Sequence, residues 1–180
     1  MALGLARPSP FLAQRSSLGG PGRCGASYPF EMSGALGGRV AMHPAATLRC
    51  EMIPAVDKWM AEVVLPIARR HFGSSVVEIK VAASYSCRPM NNVWGAKLSE
   101  HGHANALDVS AFKLADGRWI AVKSGWNGDP DERSFLRDVH DGACKIFTTV
   151  LGPLADRHHH DHFHLDLARH GRDGRMMICR

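Results

Sequence analysis

The chain has 180 residues, 45% of them hydrophobic and 22% charged, which suits one domain with a real hydrophobic core. Its net charge of +5 is gathered at the front, where Arg7, Arg15, Arg23, Arg39 and Arg49 stand against Glu31 alone, so the remainder is nearly neutral. A folded basic patch is not indicated, which argues against a nucleic-acid partner, and no stretch approaches the roughly 20 apolar residues of a transmembrane segment.

Residues 1–45 are rich in Gly, Pro, Ser and Arg, with Gly19-Gly20-Pro21-Gly22 and Gly37-Gly38 breaking any regular element. Residues 1–23 are expected to be a disordered or flexible N-terminal segment, and 24–45 irregular coil laid on a single domain spanning 24–180. The apolar run Ala2–Ala6 is too short for an export-signal core of about 7–15 residues. A helix follows, with Thr47 as a possible cap and Leu48, Met52, Val56, Trp59, Met60 and Val63 on one apolar stripe that runs to Ile67. Gly73 ends it, and Pro54 and Pro66 predict a start near residue 54 or a kink at 66.

Val76–Ala83 reads as a strand, Ser84–Lys97 as a loop, and Leu107–Phe112 as a second strand. Asp116-Gly117 is a hairpin turn with Trp119–Val122 as its return strand. Asn127–Asp131 is a loop, and Phe135–Leu151 a second helix, with Ser134 as a possible cap and Gly152-Pro153 as its end. A His-laden loop over 154–161 leads into a last strand, Phe163–Leu167, and a polar tail. These elements predict an α+β fold: a small, mostly antiparallel sheet with two main helices packed on it.

The five cysteines, Cys24, Cys50, Cys87, Cys144 and Cys179, stand singly with no Cys-x-x-Cys pair. Such spacing in a small chain fits disulfides in an oxidising compartment. A Cys24–Cys50 bridge would tie the N-terminal segment to the domain, and Cys144 and Cys179 are the other candidates. The chain is therefore expected to be periplasmic or secreted, and monomeric.

Seven of the eleven histidines fall in two windows, Ser99–Asp108 and His158–His164. Neutral imidazole and carboxylate are the usual ligands of a catalytic zinc, three of them leaving a fourth position open. In His162-Phe163-His164-Leu165-Asp166-Leu167 the polar residues occupy even positions. A strand alternates faces at every residue, so His162, His164 and Asp166 share one face and the apolar three pack the core. A face of His, His and Asp is costly to bury without partners, and a metal would supply them. Asp108 would likewise stand opposite the core residues Leu107 and Val109.

Ser99-x-His101, followed after six residues by Asp108, resembles the Ser-x-His-x-x-Gly-x-Ala-x-Asp signature of the zinc D-Ala-D-Ala peptidases, with Ala104 in place of the signature's Gly. Those enzymes share a superfamily with the lysostaphin-type and penicillin-insensitive murein endopeptidases. His162-Phe163-His164 is similar to that superfamily's His-x-His. More closely, Ser84–Arg88, Leu98–Asp108, Gly142-Ala143-Cys144 and Asp161–His164 resemble the bacterial extensin-like C-terminal domain family.

The resemblance implies a zinc-peptidase-like fold and a Zn2+ held by His101, Asp108 and His164. His162 would be the catalytic His of His-x-His. Asp161 stands where the peptidases carry a Glu general base, one methylene shorter. Arg88 would clamp the oxyanion or the substrate carboxylate. Ser99, His103 and His159 would stand beside or behind the ligands. The implied activity is that of a peptidoglycan amidohydrolase, a metallopeptidase of D,D-carboxypeptidase or endopeptidase type. Either Asp161 or His162 takes the proton from water, and a base near its operating pH favours His162. The competing expectation is a non-catalytic metal-binding module of the cell wall on the same scaffold.

Overall fold

The protein is described by a computed structural model covering residues 9–93 and 95–180. Five strands come first: Leu12–Gln14 (β1), Leu18–Gly19 (β2), Gly25–Ala26 (β3), Phe30–Ala35 (β4) and Val40–Leu48 (β5). Met52–Trp59 (α1) and Leu65–Phe72 (α2) follow, joined by a π-helical turn over Met60–Val64. Val76–Ala83 (β6), Ala106–Leu114 (β7) and Trp119–Ala121 (β8) precede the short helix Val122–Gly125 (α3) and the longer Pro130–Ala143 (α4). Thr149–Leu151 (β9), Phe163–Asp166 (β10) and Ile178–Cys179 (β11) complete the chain.

The fold is α+β, but its sheet is large and mixed, not small and antiparallel. It has nine strands in the order β1-β4-β5-β6-β7-β10-β9-β11, with β8 on the far half of β7. It is mixed: β5 runs parallel to β6 and β11 to β9, and the other pairs are antiparallel. The expected coil over 24–45 is the reason for the difference, because it supplies β4 and much of β5, while β3 pairs with β2 in a separate two-stranded sheet. Val40, Met42, Ala46 and Leu48 are buried in strand alternation on β5, a pattern masked in the sequence by His43-Pro44 and the surrounding glycines. Of the segment expected to be flexible, residues 1–8 lie outside the described residues, and Leu12–Gln14 pairs with Phe30–Met32.

Thr47 and Leu48 belong to β5, so the first helix starts at Met52, with Glu51 at its cap. Pro54 falls in the first turn, where the missing N–H has no intrahelical partner to lose. Pro66 lies in the first turn of α2, and the wider π turn before it absorbs the break in the hydrogen-bond ladder. Gly73 closes α2 in the left-handed conformation at φ 61°.

The second helix also differs from expectation. It begins at Pro130, not Phe135, because Asp129 caps it through the Asp131 N–H and Pro130 presets the helical φ. It stops at Ala143, and the β-branched run Thr148-Thr149-Val150 becomes strand β9. The hairpin holds as expected: Leu114 N–H donates to the Arg118 carbonyl and Phe112 registers with Ile120.

An aromatic cluster fastens the helices to the sheet. Trp59 of α1 meets Phe112 of β7 edge-on at 6.0 Å and Phe147 at 6.2 Å, and Phe135 of α4 meets Phe112 at 5.3 Å. Phe163 of β10 is fully buried between Phe112, Trp126 and His140. Two disulfides are present, Cys24–Cys87 and Cys144–Cys179. The expected Cys24–Cys50 bridge is absent: Cys50 is an exposed free thiol in the turn between β5 and α1, and Cys24 reaches the loop after β6 instead. No helix among the described residues is long and apolar enough to cross a membrane.

Candidate metal centre

Strand alternation builds the site. On β7, Leu107 and Val109 join the core while Asp108 turns to the opposite face. On β10, Phe163 and Leu165 join the core, and His164 and Asp166 turn with Asp108. His164 lies directly across the ladder from Asp108. His101 arrives from a single 3-10 turn, Glu100–His103, started by Ser99, whose Oγ accepts from the His101 N–H at 3.4 Å. Ala104 closes the turn at φ 51°.

These three side chains converge. His101 Nε2 stands 3.1 Å from Asp108 Oδ2 and 3.2 Å from His164 Nδ1, and His164 Nδ1 donates to Asp108 Oδ1 at 2.9 Å. Two ligands on one tetrahedral zinc, each bonded at about 2.0–2.1 Å, lie roughly 3.3 Å apart, so the spacing fits such an ion. The outer nitrogens are already committed. His101 Nδ1 donates to the Ser84 carbonyl at 2.5 Å, and His164 Nε2 donates to Asp166 Oδ2 at 2.9 Å. Outer hydrogen bonds of this kind fix the tautomer of a metal-binding imidazole and raise its basicity. The donor set and its bracing thus fit a zinc ion.

The electrostatics are those of a buried cluster. Burial alone would raise the Asp108 carboxyl, but the hydrogen bonds from His101 and His164 outweigh it and hold the group far below the usual carboxylate range. Burial alone would lower His164, yet its bonds to Asp108 and Asp166 push it up to about 9.

Around this core stand two His–Asp pairs. His162, just before β10, donates from Nδ1 to Asp161 Oδ1 at 2.8 Å and brings Nε2 to 3.6 Å from Asp108 Oδ2. Asp161 is half-exposed and occupied by this bond, so it orients His162. His159 donates from Nδ1 to Asp156 Oδ1 at 2.8 Å, and its ring lies 5.3 Å from that of His162 and 5.7 Å from that of His164. Burial, stronger than its bond to Asp156, lowers the His159 pKa.

Arg88 lines the same cleft, a cavity of about 780 Å³. Its backbone carbonyl accepts from Ser99 N–H, and the neighbouring Cys87 is bridged to Cys24, so the loop after β6 is pinned to the turn that carries His101. His103, on that turn, is half-buried and does not line the cleft. Asp166 and the Ser84 carbonyl were not among the expected site groups. Asp166 was visible on the His162–His164–Asp166 face, but its part depends on which imidazole nitrogen faces inward, which spacing alone does not give.

A second convergence of ligand types, His140 with Cys144 and Cys179, is of another kind: both sulfurs are spent in a disulfide. His140 Nε2 donates to the Arg180 carbonyl at 3.0 Å and helps the disulfide hold β11.

No curated protein and no solved structure matches the chain. The family model described as the extensin-like protein C-terminus matches residues 6–180, nearly the whole length. The chain belongs to the extensin-like C-terminal family.

Proposed function

We propose that the chain is a zinc-dependent amidohydrolase of peptidoglycan peptides, a metallopeptidase of D,D-carboxypeptidase or endopeptidase type on a zinc-peptidase-like fold. The observation that carries this reading is the convergence of His101, Asp108 and His164, with donor atoms within 4.8 Å of one another and both imidazoles braced from behind. Zinc in such a site supplies a Lewis acid and brings the pKa of water down to about 7. The two disulfides favour an oxidising compartment, and with it a periplasmic or secreted protein.

The chain's own residues have distinct tasks. His162 accepts a proton at Nε2, the nitrogen turned toward Asp108, while Asp161 holds Nδ1–H and steadies the imidazolium. The same nitrogen returns the proton to the leaving amine. Arg88 binds the carbonyl oxygen as its charge develops, or a substrate carboxylate. His159, kept neutral by burial, walls the site beside His162.

A non-catalytic metal-binding module would need the ligands but not this base. The oriented His162–Asp161 pair favours the enzyme. His162→Ala is expected to keep zinc and to lose at least about 100-fold in release of soluble fragments from purified sacculi. Full activity in that variant would place the base elsewhere, and no activity in the zinc-loaded wild type would favour the module.

A further inference from the structure

The cleft extends well past the His cluster, and its floor changes character along the way. Across the sheet, His164 on β10 is in register with Leu151 on β9, and Asp166 with Thr149, which is in register in turn with Ile178 on β11. Arg180 follows β11, with its N–H on the Val150 carbonyl and its own carbonyl accepting from Gly152 N–H and His140 Nε2. Strands lie about 4.8 Å apart. The floor therefore runs from the His cluster over an apolar step, Leu151 and Ile178, to a basic end roughly 10 Å away, where Arg169 and Arg180 line the cleft.

The charges in this cleft are unequally satisfied. Every lining carboxylate has partners within the protein: Glu100 binds Asn105 Nδ2, Asp156 binds His158 N–H and His159, and Asp166 binds His164 and Ala168 N–H. Asp108 is held by His101 and His164. None of the lining cations Arg88, Lys97, Arg169 and Arg180 forms an ion pair among the described residues. Arg169 is also seated. Its side chain lies against Gly174, where a Cβ would come within 2.7 Å of Nε, and the segment is tied down by the His170–Thr149 bond of 2.7 Å and a bridge from His170 to Met176.

We infer that the cleft takes an extended acidic ligand, with one anionic group at Arg88 and Lys97 beside the His cluster and a second at Arg169 and Arg180 beyond the apolar step. The inference rests on reading the cleft as the substrate site, and it names the class of substrate: a chain of at least about three residues between two carboxylates, since the His cluster alone stands roughly 10 Å from the basic end and an extended chain advances about 3.3 Å per residue. Guanidinium pairs carboxylate in a bidentate fork, and Arg169 and Arg180 are exposed, so both are open to an incoming carboxylate.

The test uses the full chain with and without one equivalent of zinc, and four alanine tetrapeptides. These carry a carboxylate at both ends (succinylated, free acid), at either end, or at neither (acetylated, amidated). Calorimetry is expected to give at least tenfold tighter binding for the dianionic peptide than for the neutral one. A dianionic dipeptide, too short to span, should gain less. Arg169→Gln should reduce the dianion to the affinity of a monoanion, and Arg169→Lys should restore part of the loss. Arg169→Gln should leave zinc stoichiometry unchanged. Equal binding of charged and neutral peptides, or no effect of Arg169→Gln, would overturn the inference. A carboxylate preference lost in Arg169→Gln by a protein that holds no zinc would uphold it while refuting the metal centre.

Discussion

At His164 both ring nitrogens are engaged, Nδ1 toward Asp108 and His101, Nε2 toward Asp166. Without metal the ring must carry a proton on each side, and this is why its pKa stands at about 9 despite burial. The folded value lies above the unfolded value of about 6.5, so the paired imidazolium stabilises the metal-free fold below about pH 6.5, and the gain is lost as pH rises through 9. A metal must displace the Nδ1 proton. Zinc affinity should therefore rise about tenfold per pH unit from about pH 7 to 9, measured by competition with a chromophoric chelator. A flat affinity over that window would contradict the ligand assignment. Asp166→Asn should weaken zinc by about 10–100-fold without abolishing it, because it loosens the ring rather than removing a donor; unchanged affinity would show that the brace is unimportant.

The elements explain why such a cluster can be held. β7 and β10 present Asp108 and His164 in one register, and Phe163, between His162 and His164, is anchored by Phe112, Trp126 and His140 on the other face. Phe163→Ala should cost about 3–5 kcal/mol in denaturant unfolding and weaken zinc with it. The terminal strand β11 is only two residues long and depends on Cys144–Cys179, which closes a separation of 35 residues. Removing that bridge should cost about 3–4 kcal/mol on loop entropy, read as a lower Tm. Zinc stoichiometry should survive, because no ligand lies on β11. Loss of zinc in the Cys144→Ser/Cys179→Ser variant would mean that the centre needs the whole cleft.

At the scale of the molecule, the sequence was legible where periodicity was clean and opaque where long-range pairing decided. The alternation through His162–Leu167 and around Asp108 gave both strands and the faces of His164 and Asp108. The two His windows gave the residues that the fold brings together. Strands β4 and β5 were hidden because Gly and Pro within Phe30–Leu48 read as loop, and because β5 takes its second partner, β6, from about 35 residues further along the chain. The helix expected to run to Leu151 ends at Ala143 because the β-branched segment after it is claimed by β10 and β11. Cysteine pairing was likewise a matter of tertiary proximity: Cys50 is nearer to Cys24 in sequence, but Cys87 is the one beside it. Asp161 and His162 could not be ranked from spacing, and the 2.8 Å bond between them supports His162 as the base.

Zinc content measures the centre most directly. Full-length protein, stripped with chelator and dialysed against a small excess of zinc, should retain one zinc per chain, and His164→Ala should retain none while its circular dichroism stays that of the folded protein. Stoichiometric zinc in folded His164→Ala, or no zinc in the wild type, would contradict the account.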